Sequence, residues 1–298
     1  SSRTILSATI INVGIPEVMG TYGIGYDQAQ WLSTAFLAAM TSAMVMSDFL
    51  LKTFGQRGIY MLALTVFSTG SALGGLAPDF EFLIMARALQ GAGAGAAQPI
   101  AMLALYQIYP PNQRGNAMGI FGIGVMLGPA IGPYVGGIAI DAFSWRAAFF
   151  MPVPFCTLAA MLAMFTLAPR DRAQARPKFD WVGFACLMTF ITTLLIGLSN
   201  GTRDGWHSEE IVILLATAAL AFVSFIFWEN GVAHPILDMR LFRHPRFIAA
   251  MFVSFLLGGG IFANWYLVPL FVQIIQGYTP TDSGLLQMPG SFVLLIFF

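Results

Sequence analysis

An arginine inside an apolar run has the clearest chemical consequence of any residue in this sequence. Arg87 lies in Leu83-Ile84-Met85-Ala86-Arg87-Ala88-Leu89-Gln90-Gly91, and Gly93 and Gly95 follow. On a helix, Arg87, Gln90 and Gly91 share a face at i, i+3 and i+4, so a guanidinium has a carboxamide one turn away. A charge at membrane depth costs at least about 2.5–3.5 kcal/mol and must face protein or water; snorkelling to the outer surface is the alternative. A second set is Gly124, Gly128, Gly132 and Gly136, spaced by four, with Pro129 and Pro133 between them and Gly137 alongside. The four lie along one helix face. Without side chains there, a neighbouring backbone can approach closely, and each proline removes a donor and bends the helix. Asp48, Leu50, Lys52, Gly55 and Arg57 form a short charged turn between apolar runs. Gly55 permits a tight reversal, and Asp48 is either a working carboxylate or a solvated helix end. Asn264, Trp265, Tyr266 and Gln273 put polar and aromatic groups in another run. They suit stacking on large flat lipophilic molecules, or an aromatic belt at the membrane surface.

Catalysis finds no support. The chain has no His-Glu-x-x-His, no Gly-x-Ser-x-Gly and no paired intramembrane aspartates, so no catalytic residues are assigned. The Gly91, Gly93 and Gly95 run follows no strand and is not a nucleotide loop. Cys156 and Cys186 lie in apolar runs and are read as packing residues, and they give no metal spacing. His207, His234 and His244 fall in loops. We expect neither a metal nor a bound cofactor. No re-entrant filter or charged ring points to a channel.

The elements that position these residues follow from composition. Of 298 residues, 57% are hydrophobic and 9% charged, with mean hydropathy +0.76. A soluble domain carries about 25% charged residues, so this chain cannot cover a water-facing surface. A formal net charge of zero gives no footprint for nucleic acid. Runs of about 20 apolar residues predict spans near 4–20, 30–51, 58–77, 81–105, 115–140, 146–168, 180–199, 210–229, 247–270 and 283–298. Backbone groups in hydrocarbon must bond internally, and the period-two alternation of a barrel is absent, so the spans are read as helices. No cleavable signal peptide is read at the start. Both ends lie in apolar runs, and we expect a fragment.

Loop charges set the orientation. Lys52, Arg57, Arg114, Arg170, Arg172, Arg176, Lys178, Arg240, Arg243 and Arg246 occupy one set of alternate loops; Arg146 and Arg203 occupy the other, among eight acids. The positive-inside rule puts the first set, and the N-terminus, in the cytoplasm. The basic linker after the sixth span divides the chain into a six-helix bundle at 1–168, a linker with two further helices at 169–230, and the start of a second bundle at 231–298. Transporters are commonly built from such repeated halves.

Several motifs carry a family resemblance. Leu6 to Pro16, with Ser7 and Asn12, resembles the first-helix signature of the EmrB/QacA family of fourteen-span drug:proton antiporters in the major facilitator superfamily. Trp31 to Phe36 is similar to its second helix, Pro110 to Ala117 to the loop before the fifth, and Ser144-Trp145-Arg146 with Phe149 and Pro154 to the entry of the sixth, although Pro152 stands where Asn is usual. His234 to Asp238 with Leu241 and Phe242, and Pro269 to Pro289, are similar to the later signatures. The glycine-proline helix resembles the antiporter motif, and Arg87-x-x-Gln90-Gly91 the fourth-helix motif. The 48–57 turn keeps Leu50, Gly55 and Arg57 of the loop motif but has Asp48, Lys52 and Thr53 where Gly, an acid and Arg are usual.

The resemblance implies an all-α polytopic membrane protein with a truncated major facilitator fold, in a bacterial inner membrane. It implies proton coupling or gating at Arg87, Gln90 and Asp48, and a conformational hinge at Gly124, Gly128, Pro129, Gly132, Pro133, Gly136 and Gly137. The cavity would be lined by Asn12, Asn264, Trp265, Tyr266 and Gln273. The proton gradient would be the energy source, and the partners membrane lipids, a small lipophilic substrate, cations included, and a periplasmic adaptor of the kind some members use. Spans seven and eight would be the two extra helices of fourteen-span members. Ser7 stands where the family usually has an acid, which removes the expected proton-binding carboxylate. Multidrug efflux by alternating access is therefore set beside a carrier of one narrow metabolite with altered or absent coupling.

Overall fold

The computed structural model describes residues 2–167, 179–233 and 235–297. The basic linker residues Arg170, Arg172, Arg176 and Lys178, together with His234, lie outside them. Among the described residues there is no strand, and the expected spans are helices. α1 runs Ser2–Tyr22, α2 Tyr26–Ala29, α3 Trp31–Gly75, α4 Phe80–Ile108, α5 Arg114–Ala142, α6 Ala147–Phe150 and α7 Pro152–Thr166. α8 follows at Trp181–Asp204, α9 at Glu209–Gly231, α10 at Pro245–Ile274 and α11 at Pro280–Phe297. Short 3-10 turns at Pro111–Gln113 and Met239–Arg243 precede α5 and α10. Tyr26–Gly75, Ala147–Thr166, Trp181–Asp204, Glu209–Gly231 and Pro245–Ile274 are each long and apolar enough to cross a membrane.

Two expected spans form one helical element. α3 is helical for 45 residues except at Gly55, where φ is 72° and ψ 167°. The loop expected between spans two and three is thus reduced to one residue. That backbone region is open essentially to glycine alone, so no longer loop is needed to reverse the chain. Gly55→Ala should cost about 1–3 kcal/mol; a detergent-solubilised variant melting with the parent would contradict this.

The chain forms two compact units, residues Ser1–Ala175 with Asn264–Phe298, and residues Arg176–Ala263. In the first, α4 is wedged between the two arms of α3 by its glycines. A Cβ at Gly91 or Gly95 would collide with the carbonyls of Phe36 or Met40, and one at Gly93 would lie 2.6 Å from the Ala63 carbonyl and 2.5 Å from the Phe67 nitrogen. Residues 91 and 93 are about 200° apart on a helix, so alternate glycines serve opposite neighbours. Gly70 returns the contact, 2.5 Å from the Gln90 nitrogen. Without a hydrophobic drive between helices in lipid, this close backbone approach is a main source of packing attraction.

The second unit holds α8 and α9 as a hairpin. Asp180 caps α8 by accepting from the Gly183 nitrogen at 2.9 Å and from the Trp228 indole N–H at 2.9 and 3.0 Å. Glu229 accepts from the nitrogens of Ile236 and Leu237, fastening the segment after α9. Gly201 leaves room for the Trp206 ring, and Phe190 and Phe222 pack at 4.8 Å.

Candidate functional site

Arg87 is 1% exposed, among the most buried large side chains of the protein. α4 brings it between the arms of α3. Its Nε donates to the Leu32 carbonyl at 3.2 Å and its NH1 to Gln90 Oε1 at 2.5 Å, and the guanidinium lies 4.3 Å above the Phe36 ring. Gln90, fully buried, donates through Nε2 to Ser71 Oγ at 2.6 Å. Arg87 therefore faces protein and does not snorkel. Among the described residues no carboxylate comes within 4.0 Å of it; the ion pairs there are Lys52–Asp48 and Arg203–Asp204. The chain Arg87 to Gln90 to Ser71 holds a buried guanidinium, whose field on any approaching acid is strong. Sequence spacing pointed to Gln90; Ser71 and Leu32 come from other turns of the chain.

The glycine-proline helix α5 has a partner the sequence did not name. It runs without a break through Pro129 and Pro133 and packs lengthwise on α11. A Cβ at Gly137 would lie 2.5 Å from the Pro280 carbonyl, and one at Gly284 would collide with the Pro133 carbonyl. The seam has glycine on both sides. Gly128, Gly132, Pro133, Gly136 and Gly137 are buried, and Gly124 is half-buried. At the Pro280 end, Asp141 accepts hydrogen bonds from both the nitrogen and the hydroxyl of Thr281.

Asp48 sits at an exposed helix end and binds Lys52 at 2.6 Å, four residues along the same helix. Leu50 packs against the cluster of Ala43, Ile59, Ala63, Ala96, Ala97 and Ile100, and Arg57 is half-buried. Asp48 and Arg87 are not brought together by any described contact.

The five expected cavity residues are partly engaged between helices. Asn12 is buried, donates to the Trp265 carbonyl at 3.3 Å and accepts from Ser33 Oγ at 3.2 Å. Gln273 donates to the Val13 carbonyl at 3.0 Å; Trp265 is buried, Tyr266 half-buried and Asn264 exposed. A cavity of about 520 Å³ lies beside them, lined by Tyr26, Leu267, Val268, Leu270, Phe271 and the Ile274–Ile275 pair. It contains none of the five. The Ser7 side chain lies outside the described residues.

Three acids escaped the sequence reading: Asp180 and Glu229 of the second unit, and Glu17. Glu17, in α1, accepts from the Trp145 backbone nitrogen at 3.0 Å, and the Trp145 indole donates to Thr21 Oγ1 at 3.0 Å. Arg146 stacks on the Trp145 ring at 4.4 Å and donates to the Ala77 carbonyl, which also accepts from Tyr22. The cost of an acid in an apolar run was the signal available, the same one that marked Arg87. Trp145 closes a buried cluster with Val18, Leu32, Leu83 and Phe149. Trp145→Ala should destabilise the fold by about 3–5 kcal/mol; unchanged thermal unfolding would show that the cluster does not bear load.

Comparison with known proteins converges on one family. The Major Facilitator Superfamily model matches residues 4–298. The MFS-type transporter YhcA of Bacillus subtilis is 32% identical over 292 residues, covering 98% of this chain and 55% of that protein. The multidrug transporter protein MdtP of Bacillus subtilis is 32% identical, covering 98% of this chain and 54% of that protein. The multidrug export protein EmrB of Escherichia coli is 31% identical, covering 98% and 57%. The chain thus spans about half the length of the curated relatives it matches. Among solved structures, the peptide transporter POT in complex with sulfate aligns over 96% of this chain and 64% of that one, with TM-score 0.59 at 15% identity, a likeness of fold.

Proposed function

The chain belongs to the major facilitator superfamily, and from that premise we propose that it forms part of a proton-coupled exporter of lipophilic compounds. It is a multi-pass membrane protein of a transporter family. The observation that carries the proposal is the α5–α11 seam. Two helices held backbone to backbone by glycines, one in the first bundle and one at the start of the second, form an interface that separates without unthreading side chains. Alternating access needs such a surface. In this reading residues 1–168 rock against a second bundle that begins within 231–298, and α8 and α9 are accessory helices. Efflux and lipophilic, often cationic, cargo follow from similarity to proteins named as multidrug exporters.

Arg87 and Gln90 carry coupling in this proposal, with Asp48 and Lys52 at the cytoplasmic turn and Asn12, Asn264, Trp265, Tyr266 and Gln273 near the passage. The proton gradient supplies the energy, and no cofactor takes part. The loop charges support a cytoplasmic N-terminus in a bacterial inner membrane, with membrane lipids and, in adaptor-bearing members, a periplasmic partner. Ser7, in place of the usual acid, favours a second reading: a carrier of one metabolite with altered or absent coupling.

Full-length protein in everted vesicles under an imposed pH gradient distinguishes them. Ethidium-dependent release of luminal protons, followed with a pH-sensitive dye, is the expected result. Correctly inserted protein that releases none across a broad panel of cargo would favour the narrow carrier.

A further inference from the structure

The buried face of α11 carries polar residues where an apolar helix would suffice. Ser283, Gln287 and Ser291, four residues apart, are 0%, 7% and 5% exposed. α11 packs on α5 and, at a few points, on α1 among the described helices, so this face is turned toward the seam. Among the described residues, the Ser283 hydroxyl and both amide atoms of Gln287 have no hydrogen-bond partner. A buried carboxamide with neither donor nor acceptor used is a rare exception that requires a cause. Leucine would occupy nearly the same volume without that cost. Beside the strip the two backbones are in close contact, Gly137 on the Pro280 carbonyl and Gly284 on that of Pro133.

We propose that Ser283 and Gln287 form a recognition strip for uncharged hydrogen-bonding groups of the cargo, presented when α11 parts from α5. The inference rests on the exporter reading. At 1.5 Å per residue Gln287 lies about 10 Å along α11 from Pro280, a depth at which a cargo's own polar groups have lost water. A carboxamide offers donors and an acceptor together, so the strip accepts amines, hydroxyls and amides alike and makes no demand on charge. Its unpaired groups also raise the free energy of the closed seam, which makes parting easier.

The test uses full-length protein in everted vesicles and two lipophilic cations. Ethidium carries two aromatic amines; tetraphenylphosphonium has no N–H or O–H. Gln287→Leu and Ser283→Ala should each lower the ratio of ethidium to tetraphenylphosphonium exchange roughly tenfold, the effect of one lost hydrogen bond, while thermal stability holds or rises. Loss of both cations in equal measure, or no change in the ratio, overturns the strip. A parent protein that moves neither cation overturns the exporter reading instead. In that case Gln287→Cys in a cysteine-free background decides the matter, since a water-soluble maleimide must reach residue 287 once the seam parts. A normally accumulated variant that stays unlabelled, with and without a pH gradient, overturns the strip whatever the cargo.

Discussion

Gly284→Leu is expected to abolish transport while leaving membrane insertion intact. Its first side-chain carbon would collide with the Pro133 carbonyl and lie 2.7 Å from the Tyr134 Cα, and the atoms it meets are backbone. A flexible side chain could swing away, but a helix backbone yields only by moving the whole element. Overpacking of this kind costs about 3 kcal/mol or more, which shifts the closed seam by roughly a hundredfold. Gly137→Leu should behave the same way from the opposite side, with the Pro280 carbonyl 2.5 Å from the new carbon. Gly128, buried on the same helix, is expected to follow. Gly290 supplies the control, because a Cβ there meets nothing within 4 Å although it sits on the same helix; Gly290→Leu should transport normally. Ethidium efflux from intact cells, normalised to protein in the membrane, makes the measurement. Full efflux by a well-expressed Gly284→Leu protein would remove the seam from the transport cycle.

Arg87 is expected to give the second large effect, and its character separates coupling from architecture. Arg87→Leu removes the buried charge and the two hydrogen bonds it donates, to the Leu32 carbonyl and to Gln90 Oε1, a loss of about 1.5–3 kcal/mol for each charge-assisted bond. Stability therefore falls under either role. Coupling predicts more: cargo-dependent proton release is lost, while ethidium still runs down its own gradient. Arg87→Lys keeps the charge but cannot reproduce a planar fork that donates in two directions and lies 4.3 Å over the Phe36 ring. It should restore part of the stability and little of the coupling, with proton release at least about tenfold below the parent. A purely architectural arginine predicts the opposite pattern, in which proton release and downhill flux fall together in proportion to folded protein.

Much of this was legible in the residue order, for a reason specific to membranes. Apolar runs located the long helices because a backbone in hydrocarbon must satisfy its own hydrogen bonds, whereas the four-residue α2 and the break between α6 and α7 were not among the expected spans. The cost of burying charge placed Arg87 against protein, and its spacing to Gln90 on one helix supplied a partner. A backbone that only glycine readily adopts located the reversal at Gly55. Each of these is a property of a residue and its near neighbours along the chain.

Pairing between helices was not legible, because small residues announce a close approach without naming what approaches. The glycines of α5 signalled a bare face, yet only the tertiary structure set Gly137 against Pro280 and Gly284 against Pro133, each pair far apart along the chain. The run of Gly91, Gly93 and Gly95 looked like one feature, and the wedge of α4 divides it between two neighbours. Asn12 and Gln273, expected beside a cavity, make bonds between helices. Glu17 met Trp145 across 128 positions, and the unpaired amide of Gln287 is visible only once its surroundings are known. The sequence alone determined where the chain is helical and which groups are costly to bury; the tertiary structure decided which groups meet. Hydrogen bonding within a helix is local, and contact between helices is not.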